Sequence, residues 1–177
     1  HTPFGHAGEQ ALNEVHKGGF KHYIHSLRIV DEIERDGKGL NLTFEVRDGI
    51  SKHSKGRGPI VNPRIKIKTL EGQIVRLSDI FAYFTHDLDD ALRASLIKKK
   101  DIPKKLISFF GDTHSMRISK VVEDTIQQSL RKDYKMVTIS KLLEKNLFLM
   151  REFLFEKVYY HEKLRSNFDK AKKVLSD

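Results

Sequence analysis

The sequence predicts an all-α domain, and three observations support this class. The chain has 177 residues but only four prolines. Lys, Leu, Ile and Glu are abundant, and most of these residue types favour helices. The apolar residues recur at steps of three and four, which is the period of a helix that buries one face. With no internal repeat and no convincing linker, residues 1–177 are expected to form a single helical domain.

The clearest helical pattern runs over residues 70–97, a stretch without proline whose only glycine is Gly72. Its apolar residues share about a third of the helix circumference. They are Leu70, Ile74, Leu77, Phe81, Phe84, Leu88, Leu92 and Leu96. This stripe is predicted to face the core.

A polar stripe lies on the opposite face of the same predicted helix. It consists of Asp79, Tyr83, His86, Asp87 and Asp90. A solvated acidic face is the simpler interpretation, but such a concentration of acid is out of character in a chain of net charge +9. Carboxylates mixed with Tyr and His also suit the binding of metal ions and sugar hydroxyls.

Two histidine pairings lie nearer the N-terminus. His6 and Glu9 are three residues apart and can meet on one face of a predicted helix. A histidine held by a carboxylate is a good proton shuttle because the carboxylate fixes its tautomer. A surface or capping histidine is the alternative. His22 and His25 are also one turn apart. This spacing is compatible with a pair of metal ligands and with two ordinary polar positions.

The remaining helices are predicted from the same periodicity. Their ranges are 8–16, 20–35, 42–52, 101–110, 115–132, a long helix from Thr138 or Ser140 to Tyr160, and 166–176. Two of them have clear predicted core faces. These are Phe20, Ile24, Leu27, Val30 and Ile33 in one, and Ile118, Val121, Val122, Ile126 and Leu130 in the other.

A basic segment separates two of these helices, over residues 51–68. It carries six Lys or Arg, no acid, two Gly and two Pro, which is typical of a flexible loop. A solvated loop and a contact to phosphate or nucleic acid are both open.

Composition and motifs exclude several classes of function. Without Cys the chain has no disulfide, no thiolate nucleophile and no Cys-ligated zinc. The sequence contains no P-loop, no HExxH motif and no nucleophile elbow. No apolar run is long enough to cross a membrane and no signal-peptide pattern opens the chain, so we expect a cytoplasmic protein without a membrane partner.

Four stretches, in this order, resemble the HD-domain deoxynucleoside triphosphate triphosphohydrolases, the dGTPase-like family. They are HTPFGHAGE at residues 1–9, GFKH at 19–22 leading into SLRIV at 26–30, GLNLT with EVRDGI at 39–50, and LSDIFAY with HDLDDAL at 77–92. Any one of these motifs is weak alone, but four in order make the resemblance specific.

The resemblance implies an HD-domain-like helical bundle that hydrolyses deoxynucleoside triphosphates, dGTP among them, to deoxynucleoside and triphosphate. It implies a divalent metal such as Mn²⁺, Mg²⁺ or Co²⁺, with Asp79 as the last ligand. His6 and Glu9 match the proton-transfer pair, and His22 matches another active-site residue. The family's deoxyribose contacts fall on Tyr83 and Asp87, and its phosphate contact falls on His1.

The chain departs from the family pattern in two respects. Tyr23 and His25 stand where the family usually has Asn and Gln, which bears on the nucleotide selected. The other three metal ligands of the family precede the residue that matches His1. We therefore expect a C-terminal portion of an HD-domain hydrolase, inactive alone. Homo-oligomers are common in the family, and single-stranded DNA is a further candidate partner.

Two other functions remain open. The charge of +9 and the basic segment would also suit a helical module that binds nucleic acid without catalysis. An HD phosphohydrolase acting on another phosphate ester is the second alternative. The products released from a panel of deoxynucleoside triphosphates distinguish the three.

Overall fold

The computed structural model describes residues 4–54, 58–62 and 64–176, and in these residues the chain is helical without a strand. The predicted all-α class is confirmed, and the arrangement is consistent with an HD-domain-like bundle. The helices are α1 (Gly5–Val15), α2 (His22–Arg28), α3 (Phe44–Lys52), α4 (Leu70–Arg93), α5 (Lys104–Phe110), α6 (His114–Leu130), α7 (Lys141–Leu154) and α8 (Glu162–Ser176).

Helix α4 is the centre of the bundle. The side chain of Thr69 caps its start by accepting a hydrogen bond from the backbone N–H of Gly72 at 3.1 Å. This N–H belongs to the first turn and has no acceptor within the helix. The helix packs against α3, α6 and α7. Leu88 is only 1 % exposed at this junction, and Leu143 and Leu154 of α7 are fully buried in the same cluster.

The predicted apolar stripe of α4 is correct in its middle and wrong at its start. Leu77, Phe84 and Leu88 are buried in the core, but Leu70 and Ile74 are 36 % and 51 % exposed. The first turns of α4 line an open apolar cleft of about 290 Å³ against α6. Periodicity identifies the apolar face of a helix, but it does not show how far a neighbouring element covers that face.

The predicted core face of α6 is wrong for the same reason. Val121 is 2 % exposed and enters the core, whereas Ile126 and Leu130 are each 54 % exposed. Ile118 and Val122 are exposed as well. The helix therefore meets the bundle along one narrow line through Val121.

Residues 20–35 differ most from expectation. Helix α2 ends at Arg28, passes into a π-helical turn over Ile29–Ile33 and finishes in a tight turn, Glu34–Gly37. The predicted core face of this stretch is not buried, and Ile24 and Ile33 are 59 % and 48 % exposed. Among the described helices it packs mainly against α3.

Helix α7 also continues into a π-helical turn, Phe155–Tyr159, before α8 begins. Helix α8 packs against α1 and so joins the two ends of the described chain. Among the described residues, no helix combines the length and the apolar character that a membrane crossing requires.

A buried ionic contact joins α4 to α6. Asp89 of α4 pairs with Arg117, which is 4 % exposed, and with His114. The ring of His86 lies 4.9 Å from that of His114. Because both oxygens of the Asp89 carboxylate have a partner, their interactions offset the free-energy cost of removing these charges from water.

Ser140 fixes the start of α7, and its removal tests this local structure. Its Oγ accepts from Leu143 N at 3.0 Å and donates to Asp124 at 2.6 Å. We expect Ser140→Ala to lower the free energy of unfolding by about 1 kcal/mol, since a helix N-cap contributes that much. Urea denaturation measures the change, and Ser115→Ala, at an exposed position in α6, is the matched control. Equal stability of the two variants would contradict the assigned cap.

Candidate functional site

The described structure contains five of the seven predicted site residues with their side chains. His1 lies outside the described residues, and His6 lies in α1 with its side chain outside them. The phosphate contact of His1 and the proton transfer of His6 therefore stay predictions. Glu9, His22 and Asp79 are described, as are Tyr83 and Asp87.

Glu9 and His22 form the first polar cluster. Glu9 Oε1 accepts from the backbone N–H of His22 at 2.9 Å and lies 3.0 Å from its Nδ1. Both side chains are mostly buried, with 17 % and 20 % exposure. Because a carboxylate only accepts, His22 Nδ1 carries the proton of this bond. The sequence predicted His6 as the partner of Glu9, and the structure gives Glu9 a histidine partner from the next helix.

The loop between α1 and α2 produces this pairing. Gly19 adopts φ +70°, a conformation that residues with a side chain rarely take, and it reverses the chain. Asn13 Oδ1 then accepts from the backbone N–H of Phe20 at 2.9 Å. The chain that enters α2 is thereby tied to α1 at two points, through Phe20 and His22, and a cleft of about 380 Å³ opens beside Glu9 and His22.

His53 extends the first cluster towards α4. Its ring lies 5.3 Å from that of His22, edge to face, and its Nδ1 is 2.7 Å from the carbonyl of Ile50. Arg76 of α4 donates from one nitrogen to the carbonyls of Lys52 and Ser54, at 2.7 and 2.8 Å. The backbone on both sides of His53 is therefore bound to the central helix.

Tyr83, Asp87 and Tyr159 form the second cluster. The hydroxyl of Tyr159 donates to Asp87 Oδ2 at 2.5 Å. The rings of Tyr83 and Tyr159 are stacked with centroids 5.7 Å apart. A carboxylate beside two aromatic faces is a suitable surface for a sugar, whose hydroxyls donate to the acid and whose apolar face packs on a ring.

Burial determines the protonation of this second cluster. It is the main cause that raises the pKa of the Tyr159 hydroxyl, and the nearby Asp87 charge acts in the same direction. Burial likewise raises the pKa of Tyr83. Both phenols therefore keep their protons through the physiological range, and Tyr159 serves as a hydrogen-bond donor.

Tyr159 and His53 belong to these two polar clusters, and the sequence did not single them out. Tyr159 is 72 positions from Asp87, too far apart for any helical spacing to connect them. It ends the π-helical turn Phe155–Tyr159, and π-helical turns frequently occur at functional sites. His53 follows the last residue of α3 directly and was assigned only to the basic segment.

Asp79 is exposed on the polar face of α4, one turn before Tyr83. Its charge opposes the effect of burial, which lowers the pKa of the Arg76 guanidinium. Among the described residues, no group of three or more His, Asp or Glu side chains is placed to hold a metal ion. The described residues alone therefore do not make a metal site, although a single exposed carboxylate is suitable as one of several ligands.

Comparison with known proteins identifies the family. The chain is 48 % identical over 175 residues to a deoxyguanosinetriphosphate triphosphohydrolase-like protein of Caldanaerobacter subterraneus. Proteins of the same name from Clostridium tetani and Desulfatibacillum aliphaticivorans are 45 % and 41 % identical. These matches cover 99 to 100 % of this chain and 49 to 51 % of the relatives. No family model matches.

The fold and the relatives together define a helical protein of the triphosphohydrolase-like class. The chain belongs to the family of deoxyguanosinetriphosphate triphosphohydrolase-like proteins. It spans about half the length of the curated relatives it matches.

Proposed function

We propose that the full-length protein hydrolyses deoxynucleoside triphosphates to deoxynucleoside and triphosphate. The observation that carries this proposal is the Glu9–His22 pair, a histidine fixed in one tautomer beside a cleft. Such a histidine can take or give a proton at its other nitrogen, which hydrolysis of a phosphate ester requires.

The reaction needs proton transfer at two oxygens. Water adds to the α-phosphorus and loses a proton, the bond from phosphorus to O5′ breaks, and O5′ gains a proton as the deoxynucleoside leaves. In this proposal the cluster of Glu9 and His22, with His6, supplies the groups that hold and move these protons. Glu9 keeps the imidazole of His22 oriented through the reaction.

The second cluster binds the sugar in this proposal. Asp87 accepts a hydrogen bond from the 3′-hydroxyl, and Tyr83 packs against the deoxyribose. Tyr159 orients Asp87 by donating to one of its oxygens, and this bond fixes the position of the carboxylate that accepts from the sugar. Tyr159 thus joins the predicted pair as a third sugar-site residue.

Two components remain predictions. The family resemblance implies four metal ligands, and Asp79 is the one that falls within this sequence. A divalent ion held there would neutralise phosphate charge and orient water. His1 is the predicted phosphate contact. The predicted homo-oligomer and the contact with single-stranded DNA likewise await measurement of molecular mass in solution and of DNA binding.

The proposed sugar site predicts a specific effect of Tyr159→Phe in the full-length protein. The change removes one hydrogen bond to Asp87 but keeps the ring that stacks on Tyr83. We expect KM for the deoxynucleoside triphosphate to rise about three- to tenfold, since such a bond contributes about 1 kcal/mol. Steady-state kinetics measures it, with the 68 % exposed Tyr160 changed to Phe as the control. An unchanged KM in Tyr159→Phe would exclude Tyr159 from the sugar site.

The function itself is tested with the full-length protein and the four deoxynucleoside triphosphates, with Mn²⁺, Mg²⁺ or Co²⁺ added. Release of inorganic triphosphate with deoxynucleoside supports the proposal. Release of orthophosphate or of a monophosphate would instead indicate a different phosphohydrolase. Binding of DNA without turnover would indicate the nucleic-acid-binding module suggested by the basic segment.

A further inference from the structure

We propose that His53 contacts the triphosphate chain of the substrate through its Nε2 and forms the phosphate end of the active site with His22. The inference rests on the proposed function and adds a residue that the family resemblance did not assign. Two observations carry it, namely the bound backbone around His53 and the fixed orientation of its ring. A helix-geometry argument then relates Arg76, which holds that backbone, to the sugar cluster.

The backbone at His53 is held on both sides by one buried side chain. Arg76, 7 % exposed, donates to the carbonyl before His53 and to the carbonyl after it. The other terminal nitrogen of this guanidinium is buried without a hydrogen-bond partner among the described residues. A buried arginine used in this way keeps the base of the basic segment fixed relative to α4.

The far end of the basic segment is anchored as well. Asp48, 8 % exposed, accepts from the backbone N–H of Lys68 at 3.1 Å and pairs with Lys52. Lys52 also donates to the carbonyl of Lys66 at 2.9 Å. The segment thus leaves α3 and returns to it, with His53 at its base and an excess of positive charge along it.

The hydrogen bonding of the His53 ring distinguishes its two nitrogens. Nδ1 lies 2.7 Å from the carbonyl of Ile50, and because a carbonyl only accepts, Nδ1 carries the proton of that bond. Nε2 is the nitrogen left for a ligand. The ring itself stands edge to face against His22, whose Nδ1 is likewise bound to Glu9. Two imidazoles with their Nδ1 positions occupied therefore lie side by side.

Helix geometry relates this pair to the sugar cluster. Arg76 and Asp87 are eleven residues apart on α4, which is about three turns and about 16 Å along the axis. Their side chains therefore leave the helix on the same side, with Asp79 and Tyr83 between them. An extended nucleoside triphosphate can span this length with its sugar at Asp87 and its phosphates at His53. An anionic chain favours the protonated imidazole as a charge-assisted donor.

Two substitutions at position 53 separate phosphate contact from a structural role. In His53→Asn the amide nitrogen takes the place of Nδ1, so the bond to Ile50 is kept and Nε2 is lost. In His53→Gln the amide nitrogen takes the place of Nε2, so a donor for phosphate is kept and the bond to Ile50 is lost. If His53 contacts phosphate, His53→Asn should weaken triphosphate binding more than His53→Gln. If His53 only supports the loop, His53→Gln should be the more harmful change.

The test uses the full-length protein, with inorganic triphosphate and deoxyguanosine as separate probes in isothermal titration calorimetry. We expect His53→Asn to weaken triphosphate binding about tenfold, as for the loss of one charge-assisted hydrogen bond. His53→Gln should lie between His53→Asn and the parent, and deoxyguanosine binding should stay within about twofold in both. Lys132→Gln, at an exposed position just after α6, is the control.

Several results would overturn the inference. These are unchanged triphosphate binding in His53→Asn, greater damage in His53→Gln than in His53→Asn, equal loss of both probes, or a parent that binds no triphosphate. Turnover is measured separately, so the two proposals can fail independently. A parent that hydrolyses no deoxynucleoside triphosphate, but whose triphosphate affinity depends on His53, would keep the phosphate site and reject the proposed reaction.

Discussion

In the full-length protein, Asp79→Ala should reduce hydrolysis of deoxynucleoside triphosphates by about a thousandfold or more. Asp79 is the predicted last metal ligand, and loss of a metal-bound carboxylate costs several kcal/mol of transition-state stabilisation. The fold should survive, because the side chain is exposed on α4 and a solvated carboxylate contributes little to stability. Activity assays and circular dichroism measure the two parts of this expectation.

Glu123→Ala is the matched control for Asp79→Ala. Glu123 is an exposed carboxylate on α6, so its removal should change neither turnover nor stability appreciably. Wild-type turnover in the Asp79→Ala protein would refute the ligand assignment. A melted Asp79→Ala protein would show instead that the carboxylate supports the helix, which its exposure contradicts.

Leu88→Ala should lower the free energy of unfolding by about 2–5 kcal/mol, the largest loss of stability expected from these substitutions. Leu88 is 1 % exposed at the centre of the core cluster. Its truncation removes apolar contacts and leaves a cavity that the packed neighbours α6 and α7 cannot close fully. Chemical denaturation of this 177-residue chain or of the full-length protein measures the change in the free energy of unfolding.

Ile74→Ala provides the comparison on the same helix. Ile74 belongs to the same apolar stripe by spacing but is 51 % exposed, so its truncation should cost only about 0.5 kcal/mol. Similar losses in the two variants would mean that α4 buries its whole stripe in solution. A larger loss at Ile74 would mean that the helix is rotated relative to the bundle described above.

Local patterns predicted most of the helices and the orientation of the middle of the central one, but not the break after Arg28. The ends of α3 and α5 fall within two or three residues of the predicted ranges because Thr43, Pro103 and Gly111 lie at the boundaries. The middle of α4 buries the side that its spacing indicated. Two members of the polar stripe, Tyr83 and Asp87, do lie together in a second cluster.

Contacts between distant parts of the chain could not be predicted in this way. Asp87 meets Tyr159, and Glu9 meets His22, through packing and loop geometry that no spacing rule includes. Burial failed for a related reason. The apolar faces of α2 and α6 are real periodic patterns, but whether a face is covered depends on a neighbour. Within the part of the chain that the structure describes, Ile24 and Ile126 stay more than half exposed.

The π-helical turns near both clusters have a consequence for how such proteins can diverge. A π-helical turn holds one residue more than the α-helical turn it replaces, so it works as an insertion absorbed within a continuous helix. Loss of a single residue from Phe155–Tyr159 would restore α-helical winding and leave the buried residues of α7 in place. The side chain opposite Asp87 would then be a different one. In the proposed sugar site, a one-residue change in length can therefore alter the contact offered to a ligand, without any substitution in the core.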